Sequence, residues 1–152
     1  MQQFLPVRKA FLLAALVFVF DFVLGTAVAL QQNLSDPAIG GTARDSWFTA
    51  GTPLSAPGVF MILYVILLVL ATRQRWIGIV GTVGVTLMTL ISGISWIADL
   101  NTGLLPRLIE HHVTILIVFT LALLLATTLT TVILGIATLI LHRRAQTRVA
   151  IP

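Results

Sequence analysis

The chain has 152 residues, of which 58% are hydrophobic and only 9% are charged, whereas soluble domains carry about 25% charged residues. A small soluble domain leaves much of its surface in water, so this composition excludes an ordinary soluble fold and predicts an integral membrane protein. The chain has no cysteine, which excludes disulfides, thiolate metal sites and thiol redox chemistry. The net charge of +4 comes from residues at the ends of apolar runs and not from a basic face, so nucleic acid is not an expected partner.

Four apolar runs are predicted to cross the bilayer as helices, because a membrane-spanning helix needs about 20 residues and backbone groups in lipid must be satisfied within the helix. The runs are residues 10–30, 55–72, 76–98 and 113–141. An outer loop at 31–54, an outer segment at 99–112 and a tail at 142–152 complete one membrane domain of residues 1–152. The second run is short, and Ser55 as N-cap with Pro57 in the first turn would lengthen it.

Positive charges predict the orientation of these helices. Basic residues flank the runs at 8–9, 73–75 and 143–148, with no acidic residue among them. The positive-inside rule places all three clusters in the cytoplasm, which requires an even number of crossings. The predicted fold is therefore an all-α transmembrane four-helix bundle in the plasma (inner) membrane with both termini cytoplasmic. The preference for Arg over Lys, with abundant Ala, Leu, Val and Thr, indicates a bacterial source.

The first run has an alternative interpretation as a secretory signal. Residues 1–30 have a basic start, an apolar stretch and a cleavage-like site at 27–29, which are the three parts of a signal peptide. Asp21 interrupts the apolar stretch, and this favours a retained helix.

Asp21 is the main candidate for a functional residue. It lies roughly 16 Å along the first helix, near the bilayer midplane, where an ionisable side chain is costly and is a functional candidate by default. Counting to the same depth on the other helices reaches hydroxyl side chains, namely Tyr64, Thr86, Thr89, Thr127 and Thr131. Because these hydroxyls can donate to a carboxyl group in a low-dielectric setting, we predict one shared midplane polar layer.

Two interpretations of this layer remain open. Polar residues commonly hold membrane helices together, so Asp21 could be a neutral hydrogen-bonded contact between helices. The alternative is a proton- or cation-coupled path through the bundle centre. Threonines at 120, 127, 131 and 138, and small residues at 78, 82 and 86, predict seams along which the helices approach closely.

A second polar cluster is predicted at the outer face. Its members are Asp99, Glu110, His111 and His112. Neighbouring histidines on a helix point about 100° apart and do not naturally chelate one ion, so no metal site is predicted. Glu110 is expected to favour the positive end of the helix dipole, which makes helix capping the first interpretation and ligand binding the alternative.

No cofactor is predicted, with haem b kept as an alternative. His142 lies about 45 Å of helix away from His111 and His112, so these histidines cannot clamp one iron. Met61 or a histidine of a second protomer would have to supply the other ligand. An absorption spectrum of the purified protein decides this question, because a missing Soret band excludes haem.

Three classes of function follow, none of them enzymatic, since the chain has no zinc-protease, phosphate-loop or nucleophile-elbow motif. The first is an accessory or structural subunit that associates with itself or with a larger membrane complex. The second is a small proton- or cation-coupled channel or transporter that uses Asp21 and the hydroxyls. The third is an electron-transfer subunit in contact with haem b or quinone. The expected partners are the lipid bilayer and a second copy or larger complex.

Overall fold

A computed structural model of the chain describes residues 4–31, 42–52, 54–73, 75–99 and 115–149. These contain α1 (Phe4–Gln31), α2 (Ala43–Ser46), α3 (Gly58–Thr72), α4 (Arg75–Asp99) and α5 (Ile115–Val149). The ranges just given hold no β-strand, only an isolated bridge between Thr52 and Ser55. The all-α prediction is therefore confirmed for them. Residues 32–41 and 53 of the predicted outer loop, and all of the predicted outer segment after Asp99, lie outside the described residues.

Three of the helices are long and apolar enough to cross a membrane. By length and composition, the candidate spans are Leu5–Gln31, Trp76–Ala98 and Ile115–Arg144. At 1.5 Å per residue each exceeds the hydrocarbon core of about 30 Å, which is consistent with an integral membrane protein. Helix α3 has 15 residues and reaches only about 22 Å. Helix lengths alone therefore identify three spans and leave α3 as a shorter apolar helix.

Several helix ends differ from those predicted. Helix α1 begins at Phe4 and α5 runs to Val149, so both extend past the apolar runs. Helix α3 begins at Gly58, three residues later than predicted, and Pro57 is its N-cap without a side-chain hydrogen bond. Ser55 does not cap the helix because it forms a tight turn with Thr52, with backbone hydrogen bonds in both directions at 3.0 and 3.1 Å.

The N-terminus of α3 is instead satisfied by backbone groups from the preceding loop. The amides of Gly58 and Val59 donate to the carbonyl oxygens of Trp47 and Phe48 at 3.2 and 3.0 Å. Two of the four amides that a helix start leaves unpaired thus find partners outside the helix. The loop that follows α2 is therefore part of the bundle's hydrogen-bonded structure.

The helices pack in a definite order, with α1 along α5, α5 along α4 and α4 along α3. Helices α1 and α3 touch less extensively. Two contacts, between α1 and either α3 or the turn before it, mark the two ends of the bundle. At the Arg8 end, Arg8 of α1 reaches the last carbonyls of α3. At the Ser55 end, the Thr26 hydroxyl of α1 donates to the Ser55 hydroxyl. The two helices therefore run antiparallel.

The distribution of side chains is inverted relative to a soluble protein. Among the described residues, the buried polar side chains are one aspartate and eight threonines, Asp21, Thr26, Thr82, Thr86, Thr89, Thr120, Thr127, Thr131 and Thr138. Large apolar residues cover the outside instead, and Leu13, Leu16 and Phe20 are each more than half exposed. Apolar patches of this extent are rare on soluble monomers, whereas lipid accepts them without cost.

Glycines allow the helix backbones to approach closely at two interfaces. A methyl group at Gly81 of α4 would overlap the α3 backbone at Ala71, and one at Gly135 of α5 would overlap the Thr86 hydroxyl of α4. The second contact places Thr86 of α4 against α5. Both contacts follow the small-residue packing that membrane helices use.

Candidate functional site

Asp21 lies inside the bundle at the interface of α1 and α5. Its side chain is 1% exposed, and the Thr127 hydroxyl donates to its Oδ2 at 2.6 Å. The other carboxyl oxygen, Oδ1, is buried and has no hydrogen-bond partner among the described residues. A buried acceptor without a partner is uncommon in folded proteins, and among the described residues Asp21 is the one buried acidic side chain, which marks this carboxyl group as a candidate site.

The Thr127 hydroxyl has more acceptors around it than protons to give. Its Oγ1 is 2.6 Å from Asp21 Oδ2, 2.9 Å from the Leu123 carbonyl oxygen and 3.1 Å from that of Leu124. A hydroxyl donates one proton and accepts through two lone pairs. If Asp21 is a neutral acid, it can donate to Thr127, which then donates to its own helix. This arrangement satisfies Thr127 fully and leaves no unpaired charge in the interior.

Tyr64 forms a separate contact between α3 and α4. Its hydroxyl lies 3.2 Å from Thr89 Oγ1, and Thr89 donates to the Val85 carbonyl oxygen at 2.8 Å. Because the Thr89 proton is used within α4, Tyr64 is the donor of the pair. The Phe18 ring of α1 packs on the Tyr64 ring with 5.1 Å between centroids, so the contact of α1 with Tyr64 is aromatic.

The six predicted layer residues thus divide into smaller groups. Asp21 pairs with Thr127 and Tyr64 pairs with Thr89, and no hydrogen bond between described residues joins the two pairs. Thr86 donates to the Thr82 carbonyl oxygen at 2.7 Å. Thr131 is fully buried, and its hydroxyl has no partner among the described residues. All six side chains are buried.

The predicted outer-face cluster lies outside the described side chains. Asp99 ends α4 in the backbone, while Glu110, His111 and His112 belong to residues that are not described. Within the described ranges, no three His, Asp or Glu side chains come close enough to hold a metal ion. Met61, the haem-ligand candidate, is buried in α3. The capping and haem hypotheses stay predictions.

A cavity of about 400 Å³ lies at the Ser55 end, between helices α1, α3, α4 and α5 and the loop at residues 50–57. This cavity was not predicted from the sequence. Its apolar wall includes Phe18, Phe22 and Phe60, and its polar wall includes Ser92 and Ser95 of α4. A signal was present in the sequence, because Ser92, Ser95 and Trp96 are three and four residues apart and so share one helix face.

Two sets of polar groups border this cavity, and they differ in how well they are satisfied. Thr26, Ser55 and Thr52 form a chain of hydroxyls at 3.0 and 2.7 Å, and Thr52 also accepts from the Leu54 amide at 3.3 Å. The Trp96 indole nitrogen is buried, and the described residues offer it no acceptor. An unmet buried donor costs about 1–3 kcal/mol, and this donor belongs to a side chain that lines both this cavity and a smaller groove between α4 and α5.

Two charged side chains away from the bundle centre, Arg8 and Asp45, have local structural roles. Arg8 Nη2 lies 2.9, 2.9 and 2.6 Å from the carbonyl oxygens of Ala71, Thr72 and Arg73. A cation is favourable at this negative end of a helix. From the sequence, Arg8 was predicted only to orient the first helix in the membrane. Near α2, the Thr42 hydroxyl donates to Asp45 Oδ2 at 2.7 Å and holds the pKa of Asp45 below its usual 3.8.

Comparisons with protein families, with curated proteins and with solved structures find no match to this chain. Functional inference therefore rests on the geometry of the described residues.

Proposed function

We propose that this chain is a multi-pass protein of the plasma membrane that crosses the bilayer four times, with both termini in the cytoplasm. We further propose that it acts without catalysis, as an accessory or structural subunit that associates with a second copy or with a larger membrane complex. The observation that carries the proposal is the inverted packing of the described helices, which have one aspartate and eight threonines inside and large apolar side chains outside. Lipid, or an apolar partner helix, suits that outer surface.

The short helix α3 needs a separate argument to count as a crossing. It runs antiparallel to α1 and ends beside Arg8, and the non-helical residues before it lie farther from the Arg8 end, where Leu54 contacts Gly25 of α1. Leu54 is 1% exposed. Non-helical backbone is tolerated at membrane depth where protein buries it and satisfies its hydrogen bonds. The turn between Thr52 and Ser55 meets that condition, which supports α3 plus this turn as one span.

The topology can be tested directly because the natural chain has no cysteine. Single cysteines are introduced as Thr49→Cys, Gln74→Cys and Gln146→Cys, and intact cells are treated with a membrane-impermeant maleimide. The proposal expects labelling of the first variant from outside and of the other two only after permeabilisation. Labelling of positions 49 and 74 from the same side would mean that α3 does not cross.

The accessory role predicts association. The protein is tagged at its chromosomal locus, extracted in digitonin and analysed by size-exclusion chromatography with light scattering, and copurifying proteins are identified by mass spectrometry. The expected protein mass exceeds that of one 16.4 kDa chain. A single chain without a partner protein at every detergent concentration would contradict this role.

A proton- or cation-coupled path is the second candidate function, supported by the buried Asp21 Oδ1 that lacks a partner among the described residues. An ionisable group inside a helical bundle is the usual mark of such paths. In liposomes that contain a pH-sensitive dye, the path requires proton flux above that of empty liposomes. Asp21→Asn should abolish this flux, whereas Tyr64→Phe, at the separate hydroxyl pair, should preserve it. Equal flux for the natural protein and Asp21→Asn would end this candidate.

A further inference from the structure

We propose that the cavity at the Ser55 end is a binding site for a small, uncharged, largely apolar molecule that carries a hydrogen-bond acceptor such as a ketone oxygen. The cavity volume of about 400 Å³ lies within the range of about 300–1,000 Å³ that is typical of small-molecule sites. The inference is independent of catalysis, of ion flux and of the accessory role.

The wall of the cavity defines the body of the ligand. Aromatic rings come from three different helices, with Phe18 and Phe22 on α1, Phe60 on α3 and Trp96 on α4. Aromatic side chains pack well against flat, apolar groups. None of the lining residues carries a formal charge, so an ion would lose its hydration here without gaining a counter-charge. A neutral, ring-containing molecule fits this wall.

Trp96 defines the polar group of the ligand. Its indole nitrogen can only donate, and it is buried without an acceptor among the described residues. The nearby hydroxyls of Thr52 and Ser55 already bond to each other. Because this nitrogen is buried, a ketone or ether oxygen on the ligand accepts from Trp96 Nε1 only when the indole ring turns towards the cavity, and a ligand without an acceptor would leave that donor unmet.

The test uses prodan, a neutral naphthalene ketone whose emission shifts to the blue in apolar surroundings, with the full chain in detergent micelles. The same dimethylaminonaphthalene without the ketone is the matched ligand control. The proposal expects a saturable component with one prodan per chain above the unsaturable partition into micelles. Titrations that show only unsaturable partition overturn the proposal.

Variants locate the site. Ser95→Leu fills this cavity from α4, and Ala56→Leu fills it from the loop, so the second variant keeps the test valid if the first does not fold. Ser95 does not line the smaller groove of about 120 Å³ between α4 and α5. Thr130→Leu adds similar bulk on an exposed face of α5 and should leave binding unchanged. Loss of the saturable component in the two cavity variants supports the site, and unchanged binding in a folded cavity variant overturns it.

Trp96→Phe tests the hydrogen bond separately. It removes the N–H donor and retains an aromatic ring, so prodan should bind about two- to tenfold more weakly, as expected for one neutral hydrogen bond. Binding of the ketone-free control compound should change less than twofold. An equal change for both compounds, or no change for prodan, overturns the assignment of Trp96 as the donor to the ligand.

Discussion

The two polar contacts in the bundle interior, Asp21 with Thr127 and Tyr64 with Thr89, look alike in the sequence and differ in the structure. Both join neighbouring helices through a threonine hydroxyl, at 2.6 Å for the first and 3.2 Å for the second. Tyr64 donates to Thr89, which donates to its own helix, so every proton has an acceptor. Asp21 keeps a buried oxygen that has no partner among the described residues.

The difference separates a structural contact from a candidate functional one. A complete hydroxyl pair stabilises the packing of α3 on α4 and leaves nothing for a ligand or proton to occupy. The Asp21 pair retains an unused acceptor inside the interface of α1 and α5. Position along a helix alone therefore does not identify a site, because residues counted to the same depth belong to different helix interfaces.

The largest expected effect concerns the backbone contact that supports the Tyr64 pair. In Gly81→Ala, the added methyl group would lie 2.6 Å from the Leu67 carbonyl oxygen and the Leu70 carbonyl carbon of α3. Backbone atoms cannot rotate away, so we expect a loss of about 3 kcal/mol in unfolding free energy. The measurement is helical circular dichroism during titration of dodecyl maltoside micelles with sodium dodecyl sulfate. Gly84→Ala is the control, since its methyl group would meet only the flexible Leu67 side chain and should change stability little.

Removing the threonine from each pair tests the comparison itself. Thr127→Val leaves the buried Asp21 without its hydroxyl partner, and we expect a loss of about 2 kcal/mol, as for an unsatisfied buried polar group. Thr89→Val should cost about 1 kcal/mol, because it removes one neutral hydrogen bond from the Tyr64 hydroxyl. The same detergent titration measures both. Adding Asp21→Leu to Thr127→Val should recover stability. Equal losses of unfolding free energy for Thr127→Val and Thr89→Val would contradict the difference between the two contacts.

A smaller effect is expected where Arg8 of α1 contacts the C-terminal end of α3. Arg8→Gln removes the cation from the C-terminal carbonyls of α3, and we expect a loss of about 0.5–1 kcal/mol at low salt. High salt should reduce the difference, because screening weakens charge interactions at exposed positions. Lys9→Gln removes the same charge from the next residue, which is exposed, and is the control. An equal loss in both variants would indicate a general charge effect and no specific cap.

The smallest effect is expected at the opposite end, near α2. Hydrogen bonds from the Thr42 hydroxyl and amide lower the pKa of Asp45. Because the folded-state pKa is the lower one, any stabilisation from this contact is present above pH 3.8 and is lost as the pH falls through the folded-state pKa. Thr42→Ala should move the carboxyl titration of Asp45 upward, as measured by carbon-13 NMR in micelles. An unchanged titration would show that Thr42 does not hold this carboxylate.

Some of the fold could be predicted because lipid imposes simple rules on sequence. The apolar runs predicted helices, and three of them are long enough to span a membrane. Helix ends were less predictable, since charged residues such as Arg8 and Arg143 remain helical beyond the apolar stretch. The predicted start of α3 was wrong because Ser55 forms a turn with Thr52 and a hydrogen bond with Thr26 of α1 and does not cap the helix.

The pairing of the candidate site residues could not be predicted from the sequence. Counting along each helix predicted Asp21, Tyr64 and the threonines at similar depth, but it carried no information on which helices are neighbours. That order is set by side-chain packing across interfaces, such as Gly135 against Thr86 and Phe18 against Tyr64. The cavity was missed for the same reason, because its walls come from four helices and a loop.

The sequence by itself indicated a lipid environment and predicted helices, because composition and run length follow from the cost of placing polar groups in lipid. Among the described residues, only the tertiary structure decided which carboxyl oxygen lacks a partner and where a cavity remains. Those features depend on contacts between residues as far apart as Asp21 and Thr127, and no local rule fixes such contacts. They arise only when the inward-facing sides of the four helices pack against one another.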